Sequence, residues 1–189
     1  MTALLDAAER LLVSDGYARI TTRRLAREAR VNHGLVHYYF GSMEELLVRV
    51  LERFTTRLIA RQREMYGADG PFIEKWQTAW RFHEEDLTAG YPKIWHELQA
   101  MAWNKPELRE RLMAVNNEWR AVLRGAFARA REEYGTAVDL PPLDGLVALV
   151  MTFAQGAQAE RLLGIDDGHA ELLAWIEHRL ESVERRGEK

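Results

Sequence analysis

The stretch from Ile20 to Phe40, ITTRRLAREARVNHGLVHYYF, constrains this chain more than any other, because one helical stripe breaks and restarts within three residues. Thr21 or Thr22 can N-cap a first helix, since either hydroxyl can accept from an unpaired backbone N–H. Leu25, Ala26 and Ala29 give that helix one apolar stripe. Arg30, Val31 and Asn32 interrupt the pattern, with Val31 as an apolar plug and Asn32 as the N-cap of the next helix. That second helix, His33 to Tyr39, is too short to be stable alone. Val36, Tyr39 and Phe40 are its expected anchors. That leaves Asn32, His33, Leu35, His37 and Tyr38 on the outward face. A short helix with an exposed polar and aromatic face, behind an arginine-rich helix, is a helix-turn-helix layout.

Charge supports a nucleic-acid partner only when read locally. The whole chain carries −3 over 189 residues, which by itself argues against DNA. Residues 19–30, however, place Arg19, Arg23, Arg24, Arg27 and Arg30 against Glu28 alone. A basic patch on an acidic body suffices for phosphate binding, because salt screens the remote charge within about 8–10 Å. The chain contains no cysteine, so disulfides and thiol chemistry are excluded. It has neither an apolar run long enough to span a membrane nor a signal-peptide pattern, so a cytoplasmic protein with no membrane partner is expected.

The remaining chain reads as helix throughout. Residues 2–15 form an amphipathic helix through Leu4, Leu5, Ala8, Leu11 and Leu12, ended by Gly16 in the left-handed conformation, after which Tyr17 and Ile20 turn inward. Ser42-Met43-Glu44-Glu45 is a capping box that opens a long helix to about Tyr66. Further helices follow over 72–89, 93–103, 106–134, 143–163 and 169–185. Gly90-Tyr91-Pro92 reads as a break, Pro106 as a first-turn residue, and Gly135 as a stop. The 143–163 helix is apolar nearly all round and so must be covered on both sides. In the last helix Leu172, Leu173, Ile176, Leu180 and Val183 form a stripe. The expected fold is all-α with about nine helices.

Several positions in order and spacing resemble the N-terminal domain of the tetracycline-repressor (TetR/AcrR) family of bacterial transcription regulators. They are Ala7, Ala8, Leu11, Gly16-Tyr17, Thr21-Thr22, Leu25-Ala26, Ala29, Val31, Gly34, Val36, Tyr39-Phe40, Ser42 and Glu44-Glu45-Leu46. The remainder is similar to the family only in being helical and of suitable length. The resemblance implies a DNA-binding domain over 1–45 and an effector-binding and dimerisation domain over 46–189. It implies a ligand-responsive regulator, most simply a repressor, that binds double-stranded operator DNA through Thr21, Thr22, Arg23, Asn32, His33, Gly34, Leu35, His37 and Tyr38. It also implies a homodimer through the last two helices, with Leu146, Val150, Phe153, Ala157, Leu173, Ile176 and Leu180 in the interface. Leu35, His37 and Met43 depart from residues frequent in the family, and the minor-groove contact that a basic N-terminal arm gives many members is not expected here.

The six tryptophans are many for this length, and Trp76, Trp80, Trp95, Trp103 and Trp119 fall in the middle helices. Core packing accounts for them on general grounds. The resemblance adds a pocket for a small apolar or aromatic effector, lined by Trp80, Trp95, His96, Gln99, Trp103, Asn116, Trp119 and Gln155. Nothing resembles a zinc, nucleophile or nucleotide motif, and no cofactor, metal or catalytic residue is expected. His83-Glu84-Glu85-Asp86 reads as a solvated helix face. The alternative to a regulator is a helical small-molecule binding protein or enzyme without DNA binding.

Overall fold

The structure, a computed structural model, describes residues 1–16, 19–134 and 141–187, with side chains up to residue 182. Among these residues there are nine helices and no strand. They are α1 (Thr2–Asp15), α2 (Thr22–Glu28), α3 (Gly34–Phe40), α4 (Met43–Gly67), α5 (Phe72–Thr88), α6 (Tyr91–Ala102), α7 (Pro106–Tyr134), α8 (Leu143–Leu162) and α9 (His169–Gly187). The roles expected of the Tyr17, Gly135 and Val183 side chains fall outside the described residues.

The chain packs as two compact units, Met1–Leu58 with Glu85–Val115, and Ile59–Glu84 with Asn116–Lys189. The boundary falls inside α4, α5 and α7, so the packing units do not divide at residue 45.

In the first unit, α1 buries Leu4, Leu5, Ala7, Ala8, Leu11 and Leu12, the stripe its spacing dictates. Gly16 ends it at φ 73°, ψ 167°, an almost glycine-only region, and not in the left-handed helical conformation. Ion pairs tie α1 to α4: Arg53 reaches Asp6 at 2.8 Å and Glu9 at 2.5 Å, and Arg57 reaches Glu9 at 3.1 Å. On the other side of α4, Arg111 of α7 grips Glu52 at 2.6 Å and also pairs with Glu45. That use of Glu45 explains why only half of the expected capping box forms. Ser42 Oγ accepts from Glu45 N at 3.0 Å, but the carboxylate goes to Arg49 and Arg111 instead of returning.

Helix α6 begins earlier than its sequence suggests. Proline suits a first helical turn, so Tyr91-Pro92 opens the helix rather than breaking the chain. Gly90, at φ 84°, lies against α1 so closely that a Cβ there would come within 2.7 Å of Val13 Cγ2.

In the second unit, Ile59, Tyr66, Phe72, Trp76, Val122, Ala126, Phe127, Val147 and Met151 form the core. Among the described residues, helix α8 is not covered on both sides. Val147, Met151 and Ala157 are buried, while Leu149 is 60% exposed. A helix with little amphipathic contrast hides which side faces in, and only packing decides it.

Candidate nucleic-acid interface

Local hydrogen bonds build the helix-turn-helix. Thr21 is the N-cap of α2, its Oγ1 accepting from Arg24 N at 3.2 Å. At the other end Val31 N donates to Ala26 O at 2.9 Å and Arg30 N to Arg27 O at 3.1 Å. This is a Schellman closure, which needs a left-handed residue at its centre. Glycine usually supplies it; here Arg30 does, at φ 55°. Asn32 Oδ1 then accepts from Gly34 N at 2.9 Å, so Asn32 serves the start of α3, with His33 between it and the helix proper. Val36 and Phe40 are buried and hold α3 from behind, and Leu25 and Ala26 do the same for α2.

Tyr39 is a correction. Expected as an anchor, it is 45% exposed, and its ring meets Tyr38 edge-on at 5.1 Å and Phe40 at 6.4 Å. In a seven-residue helix Val36 and Phe40, one turn apart, already fill the inner side, and the adjacent residue swings to the flank. The outer face therefore carries Asn32, His33, Gly34, Leu35, His37, Tyr38 and part of Tyr39, all exposed. His37 is turned to the end of its own helix, with Nδ1 3.2 Å from Gly41 O.

The arginines divide into two sets. Arg24 pairs with Asp15 at 2.6 Å, and Glu28 is taken by Arg10 at 3.0 Å. The Ser14 hydroxyl, and Arg24 after it, hold the Asp15 carboxyl below the usual carboxylate range. Arg23, Arg27 and Arg30 are exposed and make no ion pair among the described residues. Three free guanidinium groups beside a helix with exposed imidazole, phenol and aliphatic side chains offer phosphate contacts and base-edge contacts on adjacent surfaces.

The residues expected around an effector divide evenly between the units. In the first, Trp95 is buried, His96 Nδ1 lies 3.3 Å from Gln99 Oε1, and Trp103 is 76% exposed. Burial lowers the His96 pKa, with the Gln99 bond opposing it. In the second, Trp80 and Trp119 pack against the core, and Gln155 donates to Asn116 Oδ1 at 3.5 Å. His83 and Asp86 are not on a solvated face: Asp86 is buried, and His83 is largely enclosed with Trp80. Of the residues expected between subunits, Leu146, Val150, Leu173, Ile176 and Leu180 lean against their own core. Phe153 stacks edge-on with Trp80, and Ala157 is buried. The apolar side chains that α8, α9 and their connection expose are instead Leu149, Leu163, Ile165, Leu172 and Trp175.

These features define an all-helical protein with an N-terminal helix-turn-helix. Residues 4–50 match the family described as bacterial regulatory proteins, tetR family. It is 30% identical over 131 residues to the HTH-type transcriptional regulator BetI of Agrobacterium fabrum, covering 67% of this chain and 63% of that one. Its fold matches a transcriptional regulator from Saccharomonospora viridis in complex with choline, at TM-score 0.76 and 17% identity over 96% of this chain and 93% of that one. It also matches the regulator FadR of Bacillus subtilis in complex with stearoyl-CoA, at TM-score 0.71 and 18% identity over 96% of each chain. The chain spans less than two thirds of the length of the curated relatives it first matches. Those relatives are named as HTH-type transcriptional regulators. No helix among the described residues is long and apolar enough to cross a membrane.

Proposed function

We propose that this protein is a cytoplasmic, ligand-responsive transcription regulator, acting as a repressor, that binds a near-palindromic operator as a homodimer. Residues 1–45 form its DNA-binding domain and 46–189 its effector and dimerisation domain. The observation that carries the reading is the exposed face of α3 beside the unpaired Arg23, Arg27 and Arg30. Thr21, Thr22 and Arg23 position the protein on phosphates, and His33, Leu35 and Tyr38 meet base edges, with Leu35 suited to a thymine methyl. Two such helices related by a two-fold would enter successive major grooves, ~34–36 Å apart. The exposed Leu149, Leu163, Leu172 and Trp175 supply an apolar surface for the second subunit. Structural neighbours hold choline and stearoyl-CoA, which supports a small effector here without naming it. An effector releases DNA only if it prefers the non-binding conformation; tight binding alone shifts nothing.

The test is capture of genomic fragments on the purified protein, followed by titration of a recovered site and of random duplex at two salt concentrations. A regulator binds the recovered site at least ~10³-fold more tightly, with affinity for both duplexes falling steeply with salt. Equal affinity for both, or no salt dependence, sinks the reading.

A further inference from the structure

The second unit contains a cluster of rings whose polar atoms are not all used. Trp80 meets Trp76, His83 and Phe153 edge-on, with ring centroids at 5.7, 4.9 and 5.5 Å. Phe153 in turn meets His169 at 6.1 Å. Within this cluster Trp76 Nε1, His83 Nε2 and His169 Nδ1 are buried and have no hydrogen-bond partner among the described residues. The opposite ring nitrogens of both histidines are occupied. His83 Nδ1 lies 3.3 Å from Nε2 of the buried Gln158, and His169 Nε2 lies 2.6 Å from a Glu160 carboxylate oxygen.

These contacts set the protonation states. An amide nitrogen only donates, so His83 Nδ1 accepts from Gln158 and the ring proton sits on Nε2. Burial, the largest influence, keeps that ring neutral, its pKa pushed down to about 4. Trp76 Nε1–H is a donor and nothing else. Two neutral N–H donors are thus buried without acceptors beside one indole, an arrangement that opposes folding unless something completes it.

The charges around the cluster are already matched. Arg161 pairs with Glu84, and Glu160 faces His169. A buried carboxylate would find Arg161 already committed to Glu84, and desolvating it unpaired is costly. A quaternary ammonium could lie on the indole faces, but it would leave both N–H donors unmet and turned towards a positive charge. An oxygen acceptor on an uncharged molecule meets neither objection.

We propose that the ring cluster around Trp80 is the effector site, and that the effector is an uncharged, largely apolar molecule with a carbonyl oxygen. That oxygen accepts from His83 Nε2–H and Trp76 Nε1–H, while the apolar body packs on Trp80 and Phe153. The inference rests on the protein being an effector-responsive regulator.

The test is calorimetric titration of the full chain, without DNA, using four probes of similar size. These are butyrophenone, butylbenzene, 4-phenylbutyrate and phenyltrimethylammonium. Butyrophenone is expected to bind about tenfold more tightly than butylbenzene, the effect of one good hydrogen bond, and more tightly than both ions. His83→Phe and Trp76→Phe, each confirmed as folded by thermal melting, should bring the ketone-to-hydrocarbon ratio to about one. The proposal is overturned if either ion ranks first, if the ratio survives in both variants, or if none of the four probes binds. Since no DNA is present, a failure here leaves operator binding standing, and a failure of operator binding leaves this result standing.

Discussion

The outer face of α3 and the outer face of α8–α9 both leave large apolar side chains in water, but they differ in what surrounds them. Around Leu35 and the 78%-exposed Tyr38 lie His33, Asn32 and the free guanidinium groups of Arg23, Arg27 and Arg30. Along α8, within two helical turns of Leu149, the other exposed positions include Gly145, Thr152 and Gly156. Helix α8 contains only three charged residues, Asp144, Glu160 and Arg161. The first face can stay solvated until a polyanion arrives. The second is small and smooth, the surface on which another helix can lie closely. The mixture of neighbours, more than the amount of exposed apolar surface, separates a nucleic-acid face from a protein face.

The largest test of that contrast lies behind the reader. Phe40→Ala removes a buried ring and should cost about 3–5 kcal/mol of stability, read by chemical denaturation. Tyr39→Ala, at the exposed flank, should cost well under half as much. Equal losses would mean that both rings are buried and that α3 is rotated on its axis. Next come Leu149→Glu and Trp175→Glu, both exposed and so outside the folded core. Either should give soluble monomers by sedimentation, and operator affinity should fall by on the order of 10²-fold as the second half-site stops contributing. A variant pair that still sediments as dimers would remove α8–α9 as the subunit face.

A smaller effect separates base reading from phosphate binding. Leu35→Ala and His33→Ala should each cost roughly 1–3 kcal/mol on the cognate site and leave random duplex nearly untouched. Unchanged operator-to-random ratios would show that α3 does not read sequence. The smallest concerns Arg30, whose left-handed backbone is strained by about 1 kcal/mol relative to glycine. Arg30→Gly should leave the melting temperature equal or higher, yet weaken all duplexes alike and lower the salt slope by about one, as Arg23→Ala should. A variant that melts higher and binds as before would mean that the arginine has no part in phosphate contact.

Where local chemistry decides, most of the sequence was legible, Gly16 and Tyr91-Pro92 being the exceptions. Helix α1 spans the expected residues 2–15, Pro106 opens α7, and Thr21 and Ser42 each accept the backbone N–H expected of an N-cap. Signals carried by neighbours along the chain survive because caps and periodicity act within a few residues. The ring cluster was not legible for the opposite reason. His83 looked solvated among Glu84, Glu85 and Asp86, and its partner Gln158 is 75 residues away. Trp76 gave no sign that its N–H would be left unpaired. The face of α8 was equally hidden, because a nearly uniform apolar helix carries no phase from which to read direction.

The sequence by itself determined that this chain is all helix, where most of its helices begin, and that a short helix-turn-helix with surplus arginines occupies its N-terminal part. Side-chain spacing, capping hydroxyls and local charge set these features, each acting over one or two turns. Only the tertiary structure decided that Tyr39 leaves the core while Phe40 stays, that Glu45 abandons its cap for Arg111, and that Leu149 rather than Val150 faces water. Each is a competition among groups far apart in the chain, settled by the space and partners that packing supplies.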